Sequence, residues 1–258
     1  MNLSLSGRRA IVCGSTSGIG RACAQLLAER GASVVLAARD EEKLISTVNS
    51  LDGDDHSYIC ADFNDPDNLR LKTIDHINKT GVIHILMNNS GGPPGGPLIE
   101  ANPDEFEIAF KRHVISSHIL TQAVVPGMKE KGYGRIINII STSVNQVIPG
   151  LGVSNTIRGA VAQWVKTLAI ELGPYGITAN NVLPGYIDTD RLKNLLEKSA
   201  KDKNITYDQM VTETEKKTSL GRIGLPTEIA SAVAFIASEA GGYISGTNFS
   251  VDGGRFGI

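Results

Sequence analysis

Three glycines follow the first apolar run of the chain at a spacing that suits a phosphate-binding turn. Residues 10–13 are apolar, residues 14–20 read Gly-Ser-Thr-Ser-Gly-Ile-Gly, and a helical pattern begins near Arg21. Glycine backbone can approach a pyrophosphate closely, and the next helix offers free N–H groups and the positive end of its dipole. A plain tight turn between a strand and a helix remains the alternative. The residues predicted to contact a dinucleotide here are Gly14, Ser15, Ser17, Gly18, Ile19 and Gly20.

The end of the second apolar run indicates which dinucleotide would bind. An acidic residue at this point accepts hydrogen bonds from the ribose 2′-OH of NAD and repels a 2′-phosphate. Ala38 and Arg39 stand here instead, and a guanidinium pairs well with a phosphate. We therefore expect NADP(H) to be preferred over NAD(H). The alternative is that Arg39 is a solvated surface charge and that Asp40 serves the ribose of NAD.

These residues must be positioned by an alternation of short strands and longer helices. Strands with apolar residues on both faces need helices on both sides, and such alternation is typical of a parallel sheet with right-handed crossovers. The sequence predicts an α/β, doubly wound Rossmann fold with a mostly parallel sheet of about seven strands, in one domain over residues 1–258. The predicted strands are residues 10–13, 33–37, 57–60, 83–87, 135–140, 178–183 and 248–251.

Two segments interrupt the alternation. Glycines and prolines at residues 90–97 exclude a regular helix or strand, so this segment is predicted to be a loop. Residues 190–220 are rich in Lys, Glu and Thr and have mixed helical periodicity, with Leu192, Leu195 and Leu196 at helical spacing. We interpret this second segment as a lid, for which the alternative is an amphipathic helix packed on the edge of the sheet.

Five motifs in order along the chain resemble those of the short-chain dehydrogenase/reductase family, and in particular its 3-oxoacyl-carrier-protein reductases. The glycines at residues 14–20 have the family's spacing, and Asp62 follows the third strand where the family places an aspartate against the adenine. The other three motifs are Asn-Asn-Ser-Gly at residues 88–91, Pro-Gly-Tyr-Ile-Asp-Thr at residues 184–189, and Gly246 with Val-Asp-Gly-Gly at residues 251–254. The further cofactor-binding residues that the resemblance implies are Asp62, Phe63, Asn89, Ser90, Gly91, Arg158, Pro184, Gly185, Ile187 and Thr189.

The resemblance also implies where the catalytic residues should lie, and this chain departs from the family there. The family uses a serine that orients the carbonyl, a tyrosine that transfers the proton, a lysine that lowers the pKa of the tyrosine, and an asparagine that anchors a water. Ser141 matches the serine, but Ser154 stands at the tyrosine position and Arg158 at the lysine position. His113 aligns with the asparagine. Three of the four positions therefore differ.

These replacements change the chemistry that is available. An aliphatic hydroxyl is a far weaker acid than a phenol, and an arginine holds its proton, so Ser154 and Arg158 cannot reproduce the family's proton transfer. Arg158 can still hold ribose hydroxyls. His113 titrates near neutral pH and is one candidate acid, although a lone helical histidine is more often packed or on the surface. Tyr186 is another candidate.

The sequence supports two functions. The first is an NADP(H)-dependent carbonyl reductase or alcohol dehydrogenase, with 3-oxoacyl thioesters among its candidate substrates. The second is a dinucleotide-binding sensor or partner subunit with little or no turnover. The retained serine and cofactor motifs favour the enzyme, whereas Ser154 and Arg158 favour the sensor. Family members form dimers and tetramers through the helices at about residues 103–128 and 154–172, which implies a homodimer or homotetramer.

Composition excludes several other classes of protein. A net charge of −2 offers no footprint for nucleic acid, and no apolar run approaches the length that spans a bilayer, so we expect a cytoplasmic protein. The cysteines Cys13, Cys23 and Cys60 are predicted to be buried free thiols. The five histidines lack metal-ligand spacing, and no metal is expected.

Overall fold

Seven parallel strands form one twisted sheet in the computed structural model, which describes residues 2–255. The strand order is β3-β2-β1-β4-β5-β6-β7, so the direction of winding reverses between β1 and β4. In a doubly wound sheet, ligands bind at the carboxyl ends of the strands where this reversal occurs. The strands are β1 (Arg9–Cys13), β2 (Ser33–Ala38), β3 (Ser57–Cys60), β4 (Ile85–Asn88), β5 (Gly134–Ile139), β6 (Ile177–Pro184) and β7 (Asn248–Val251).

Helices cover both faces of the sheet because successive strand residues point to opposite sides. Ile11 packs in one apolar layer and its neighbour Val12 in the other, and both are fully buried. One layer contains residues of α1, α2 and α9, and the other contains residues of α3, α5 and α6. The helices are α1 (Gly18–Glu29), α2 (Glu41–Val48), α3 (Pro66–Thr80), α4 (Pro103–Phe110), α5 (Ser116–Lys131), α6 (Gly152–Leu172), α7 (Asp190–Lys203), α8 (Tyr207–Glu215) and α9 (Pro226–Ala237).

The sequence predicted one continuous helix at about residues 103–128, but in the structure this helix is interrupted. A π-helical turn, Lys111–Ile115, joins α4 to α5 and contains His113. Such a turn inserts an extra residue into the helix and changes which side chains face the sheet, and π turns are frequent at functional sites. Simple periodicity gave no sign of it.

The segment predicted to be a lid folds as α7 and α8. Four buried residues, Leu192, Leu196, Ala200 and Met210, form a small apolar cluster between these helices, separate from the two main layers. The segment is therefore held mainly by its own packing. The loop predicted at residues 90–97 lies beside it and contains no helix or ladder strand, only a single bridge from Gly96 to Leu151.

The thiols differ from the expectation in one case. Cys13 and Cys23 are buried, and burial raises the pKa of Cys13 to about 12, but Cys60 is only partly buried. Within residues 2–255, no helix is long and apolar enough to cross a membrane, and no three His, Cys, Asp or Glu side chains gather as metal ligands would.

Candidate active site

A cavity of about 480 Å³ opens at the carboxyl ends of the strands, where the sheet reverses. It is bounded by the turn after β1, the ends of β2 and β5, the loop after β4, the start of α7 and the segment after β6. The sequence-predicted residues that line it are Gly14, Ser17, Gly18, Ile19, Arg39, Asp62, Phe63, Asn89, Ser90, Gly91, Ser141, Ser154, Arg158, Pro184, Gly185, Ile187 and Thr189.

The turn between β1 and α1 has the backbone that a pyrophosphate requires. Gly14 and Gly18 adopt φ angles of +58° and +49°, which strain residues with a side chain. Asn89 donates a hydrogen bond from Nδ2 to the carbonyl oxygen of Cys13 (3.3 Å), and a Cβ on Gly14 would lie 2.8 Å from that Nδ2. A Cβ on Gly20 would lie 2.0 Å from the carbonyl oxygen of Gly14. The glycines therefore serve the shape of the turn as well as access to it.

The N-terminus of α1 faces the cavity without a side-chain cap. Ser17 occupies the capping position, but its hydroxyl forms no capping hydrogen bond. The first-turn N–H groups and the positive end of the helix dipole therefore remain available to an anion. Together with the two left-handed glycines, this uncapped end fits the pyrophosphate of a dinucleotide, which the N–H groups of Gly18 and Ile19 would hold.

Two predicted contacts lie behind the turn rather than on the cavity surface. The side chain of Ser15 is fully buried, and Gly20 packs against Gly14, so neither residue lines the cavity. Their contribution is to the shape of the turn. The glycine spacing alone could not separate residues that touch a ligand from residues that hold the turn.

Asp40 is occupied elsewhere. It caps α2, with its side chain accepting a hydrogen bond from the backbone N–H of Lys43, and its carboxylate lies 3.1 Å from the Lys43 ammonium. The capping hydrogen bond and the Lys43 charge lower the pKa of Asp40. Arg39 and Ala38 line the cavity, whereas Asp40 does not. The structure therefore disfavours the reading in which Asp40 serves an NAD ribose.

Ser141, Ser154 and Arg158 come together at the other end of the cavity. Ser141 follows β5, while Ser154 and Arg158 lie one turn apart on α6 and so share a face. Arg158 is 8% exposed and donates from Nη1 to the carbonyl oxygen of Ile139 (3.1 Å). Burial, and next the charge of Arg191, lower the pKa of Arg158 to about 10, so the guanidinium stays charged at neutral pH. The site holds a permanent cation beside a hydroxyl.

The surroundings of His113 speak against its predicted role as an acid. The ring is buried, does not line the cavity, and places Nδ1 2.7 Å from Oγ of Ser90. Burial, followed by the charges of Arg158, Arg112 and Arg191, lowers the pKa of His113 to about 2. The imidazole is therefore neutral near pH 7 and has no ionisable proton to give. Its contact with Ser90 instead joins the π turn to the loop after β4.

The cavity also contains charged residues that sequence reasoning did not identify. Five arginines and two aspartates line it, and the unexpected ones are Arg112, Arg191, Arg255 and Asp190. Arg191 lies two residues after Thr189, where a recognised motif ends, and Arg112 neighbours His113. Proximity to recognised residues was therefore a usable signal. Arg255, whose guanidinium carbon lies 3.9 Å from the ring centroid of Tyr186, directly follows the motif at residues 251–254, so the same signal applied to it.

Known proteins that resemble this chain are reductases and dehydrogenases. A family model described as enoyl-(acyl carrier protein) reductase matches residues 14–255. The 3-oxoacyl-(acyl-carrier-protein) reductase FabG of Vibrio cholerae is 34% identical over 256 residues, covering 98% of this chain and 99% of that protein.

Two solved structures with the same fold contain a bound cofactor. L-sorbose reductase from Gluconobacter frateurii, complexed with NADPH and L-sorbose, has a TM-score of 0.94 at 28% identity, with both chains fully covered. A gluconate 5-dehydrogenase from Burkholderia cenocepacia, in complex with NADP and tartrate, has a TM-score of 0.90 at 30% identity, covering 100% of this chain and 98% of that one. The likeness spans the whole sheet and both layers of helices.

A valine at Gly18 should prevent dinucleotide binding, because its side chain would stand at the cavity wall where the backbone must approach the pyrophosphate. A left-handed valine also costs about 1–3 kcal/mol of stability. Gly7→Val is the matched control, since Gly7 has a φ of +75°, has no atom near its Cβ position, and does not line the cavity. Calorimetric titration with NADPH should show loss of binding in Gly18→Val alone. Tight binding by a folded Gly18→Val protein would refute this placement of the phosphate site.

His113 should make the protein less stable in acid. Folding lowers the pKa of His113 from 6.5 to about 2. At a pH between these two values, the histidine is protonated in the unfolded chain and neutral in the folded chain. The contribution of neutral His113 is complete above about pH 6.5 and is lost as pH falls, by up to about 1.4 kcal/mol per pH unit. His113→Gln should flatten the fall in unfolding free energy between about pH 6 and pH 4, as measured by urea denaturation. His118→Gln, at an exposed histidine, should not, and parallel curves for the native protein and His113→Gln would contradict the argument.

Proposed function

The chain belongs to the short-chain dehydrogenase/reductase family, and from this premise we propose that it is an NADP(H)-dependent oxidoreductase that interconverts a small carbonyl compound and its alcohol. The observation that carries the proposal is one cavity that joins an uncapped, glycine-lined helix N-terminus to Ser141 and Arg158. The first half suits a dinucleotide and the second half suits a polarised carbonyl. The proposed site consists of the cavity-lining residues already named, with Ser141, Ser154 and Arg158 at the reacting end.

Arg39 favours NADP(H) as the cofactor. Its guanidinium lines the cavity at the end of β2, where a 2′-phosphate would sit, and Ala38 offers no carboxylate to repel it. Relatives of the same fold were solved with NADPH or NADP. Asp40, which caps α2, has no part in this choice.

Arg39→Ala should weaken binding of NADPH about ten-fold or more and leave NADH nearly unchanged, because one charge-assisted pair contributes roughly 1.5–3 kcal/mol. Fluorescence titration of both cofactors measures this. Arg70→Ala, at an exposed arginine of α3 outside the cavity, is the control and should bind both like the native protein. Equal losses for NADPH and NADH in Arg39→Ala would overturn the assignment.

The chain's own residues prepare the carbonyl for reduction. When bound, the dinucleotide supplies a hydride. The Ser141 hydroxyl donates a hydrogen bond to the carbonyl oxygen, and the positive charge of Arg158, anchored at the end of β5, stabilises negative charge that develops there. Ser154 stands where the family has a phenol, and its aliphatic hydroxyl is too weak an acid to replace that phenol. With His113 neutral and buried, the proton that completes the alcohol comes from water or from Tyr186, which also lines the cavity.

The alternative, a sensor without turnover, rests only on the replacement of the tyrosine and the lysine. Relatives that cover nearly all of the chain are named reductases, which favours the enzyme. Oxidation of NADPH by the purified protein, followed with ketones and 3-oxoacyl thioesters, separates the two functions. If the protein turns over none of these substrates, that result would support the sensor.

We also propose that the chain forms a homodimer or homotetramer through α4, α5 and α6. These helices and the π turn between them expose the apolar side chains Ile108, Phe110, Ile115 and Ile170, and Ile170 is 80% exposed. Such side chains are typical of surfaces that pack on another subunit. Light scattering in solution would distinguish these assemblies from a monomer.

Restoring a phenol and an ammonium should raise turnover of generic ketones, because the missing general acid is worth about 10²–10⁴ in rate. The variant is Ser154→Tyr with Arg158→Lys, and since the two groups act as a unit, neither change alone should suffice. Adding Ser141→Ala should abolish the gain, whereas Ser143→Ala, at a buried serine outside the cavity, should not.

Stability must be measured with rate, because Ser154 is only 6% exposed and a phenol that overpacks the site costs about 1–3 kcal/mol. A folded double variant that is slower than the native protein would mean that the native site uses its own acid. Our prediction that the double variant is faster than the native protein would then be wrong.

A further inference from the structure

The reacting end of the cavity contains more positive charge than the cofactor can neutralise. Arg158 and Arg191 both line it, and in the described part of the chain neither forms an ion pair with a carboxylate. Asp62 and Asp190 also line the cavity, but neither lies within ion-pair distance of these two guanidiniums. The phosphates of a dinucleotide would bind at the other end, near α1 and Arg39. The nicotinamide end brings no anion.

Arg158 is an incomplete binding site by itself. It is nine-tenths buried, uses Nη1 for the carbonyl oxygen of Ile139, and has a buried Nε without a hydrogen-bond partner. A buried charged donor without a partner is costly, and a ligand oxygen would satisfy it. The charge of Arg191 acts on Arg158, because it is the second cause, after burial, of the lowered pKa of Arg158.

Arg191 is held in place by the loop after β4. It donates from Nη1 to the carbonyl oxygen of Gly92 (3.1 Å) and from Nη2 to that of Pro93 (3.4 Å). A guanidinium has five N–H donors, so three remain for a ligand. Two fixed guanidiniums on different elements, α6 and α7, therefore face one cavity with donors to spare.

We propose that the substrate is a short oxo acid whose carboxylate binds to Arg158 and Arg191, close to the carbonyl that Ser141 polarises. Arginine suits a carboxylate because its planar donors match the two oxygens. The guanidinium of Arg158 is anchored to the carbonyl oxygen of Ile139, and Ile139 lies two residues before Ser141. The Cα atoms of Ile139 and Ser141 are therefore at most about 7 Å apart. A substrate that reaches both guanidiniums and Ser141 at this end of the cavity would carry its carboxylate within a few bonds of its carbonyl, as 2-oxo and 3-oxo acids do. The inference rests on the proposed function, since it takes Ser141 to hold the reacting carbonyl.

Binding tests the anion site without requiring turnover. Oxamate, a non-reducible analogue of pyruvate, and its neutral counterpart oxamide are titrated calorimetrically into NADPH-loaded protein. Oxamate should bind at least about ten-fold more tightly than oxamide, as expected for one charge-assisted contact. Arg191→Gln should remove that preference, Arg191→Lys should retain part of it, and the control Arg70→Gln should leave it intact. Equal binding of oxamate and oxamide, or an oxamate affinity unaffected by Arg191→Gln, would overturn the proposal.

Turnover separates the substrate class from the reaction. Pyruvate and acetoacetate are compared with their methyl esters by oxidation of NADPH, and Arg191→Gln should lower the acid-to-ester ratio of kcat/KM about ten-fold or more. If Arg191 served only to fasten the loop, acid and ester would lose activity equally, and the proposal would fail. Rapid reduction of esters but not acids would overturn the oxo acid and leave the reductase standing. Arg191-dependent binding of oxamate without turnover of any carbonyl compound would support the anion site and overturn the reductase.

Discussion

The amide of Asn89 joins the carboxyl ends of β1 and β4, and the position of the whole site depends on that contact. Its Nδ2 lies 3.3 Å from the carbonyl oxygen of Cys13 and 3.4 Å from that of Gly14, across the gap where the sheet reverses. Gly14 can approach only because it lacks a Cβ. The turn that follows aims α1 at the cavity, while the loop after β4 carries Ser90 toward His113. One amide therefore sets both halves of the site.

Asparagine side chains, buried on β4, β5 and β6 and partly buried on β7, continue this alignment across the sheet. Asn88, Asn138, Asn181 and Asn248 lie opposite one another on β4 to β7, and Nδ2 of Asn88 donates to Oδ1 of Asn138 (3.0 Å). Nδ2 of Asn181 donates to Oδ1 of Asn248 (2.9 Å). In a parallel sheet with apolar residues on both faces, a row of amides penalises any slip of register, since each would lose its partner. The row of asparagines thereby fixes the relative positions of the ends of β5 and β6, and with them the positions of Ser141 and of the residues after β6.

The fold and most of the residues that line the cofactor half of the cavity were predictable from sequence, whereas the second cation of the reacting half, Arg191, was not. Apolar runs with helical segments between them predict strands and layers directly, and all seven strands lie within two residues of their predicted ends. The family resemblance is confirmed, and with it the fold. The π turn at Lys111–Ile115 has no signature in hydrophobic spacing, so the sequence could not decide whether His113 is packed or available as an acid. The presence of Arg191 in the same cavity as Arg158 depends on how α7 packs against the loop after β4, which is long-range information.

The environment of position 158 explains why an arginine differs there from the lysine of the family. Burial and the neighbouring Arg191 lower the pKa of Arg158 to about 10, which still leaves the guanidinium fully charged at neutral pH. A lysine begins near 10.4. The same burial and the same neighbour would bring its pKa toward neutrality, so the site would hold a variable charge rather than a permanent one. A lysine that can lose its proton suits a relay through a tyrosine, and here positions 154 and 158 hold neither of these residues. A cation that never loses its proton suits the stabilisation of an anion. The arginine at position 158 and the loss of the tyrosine at position 154 therefore change the site in the same direction, away from a proton relay and toward a permanent positive charge.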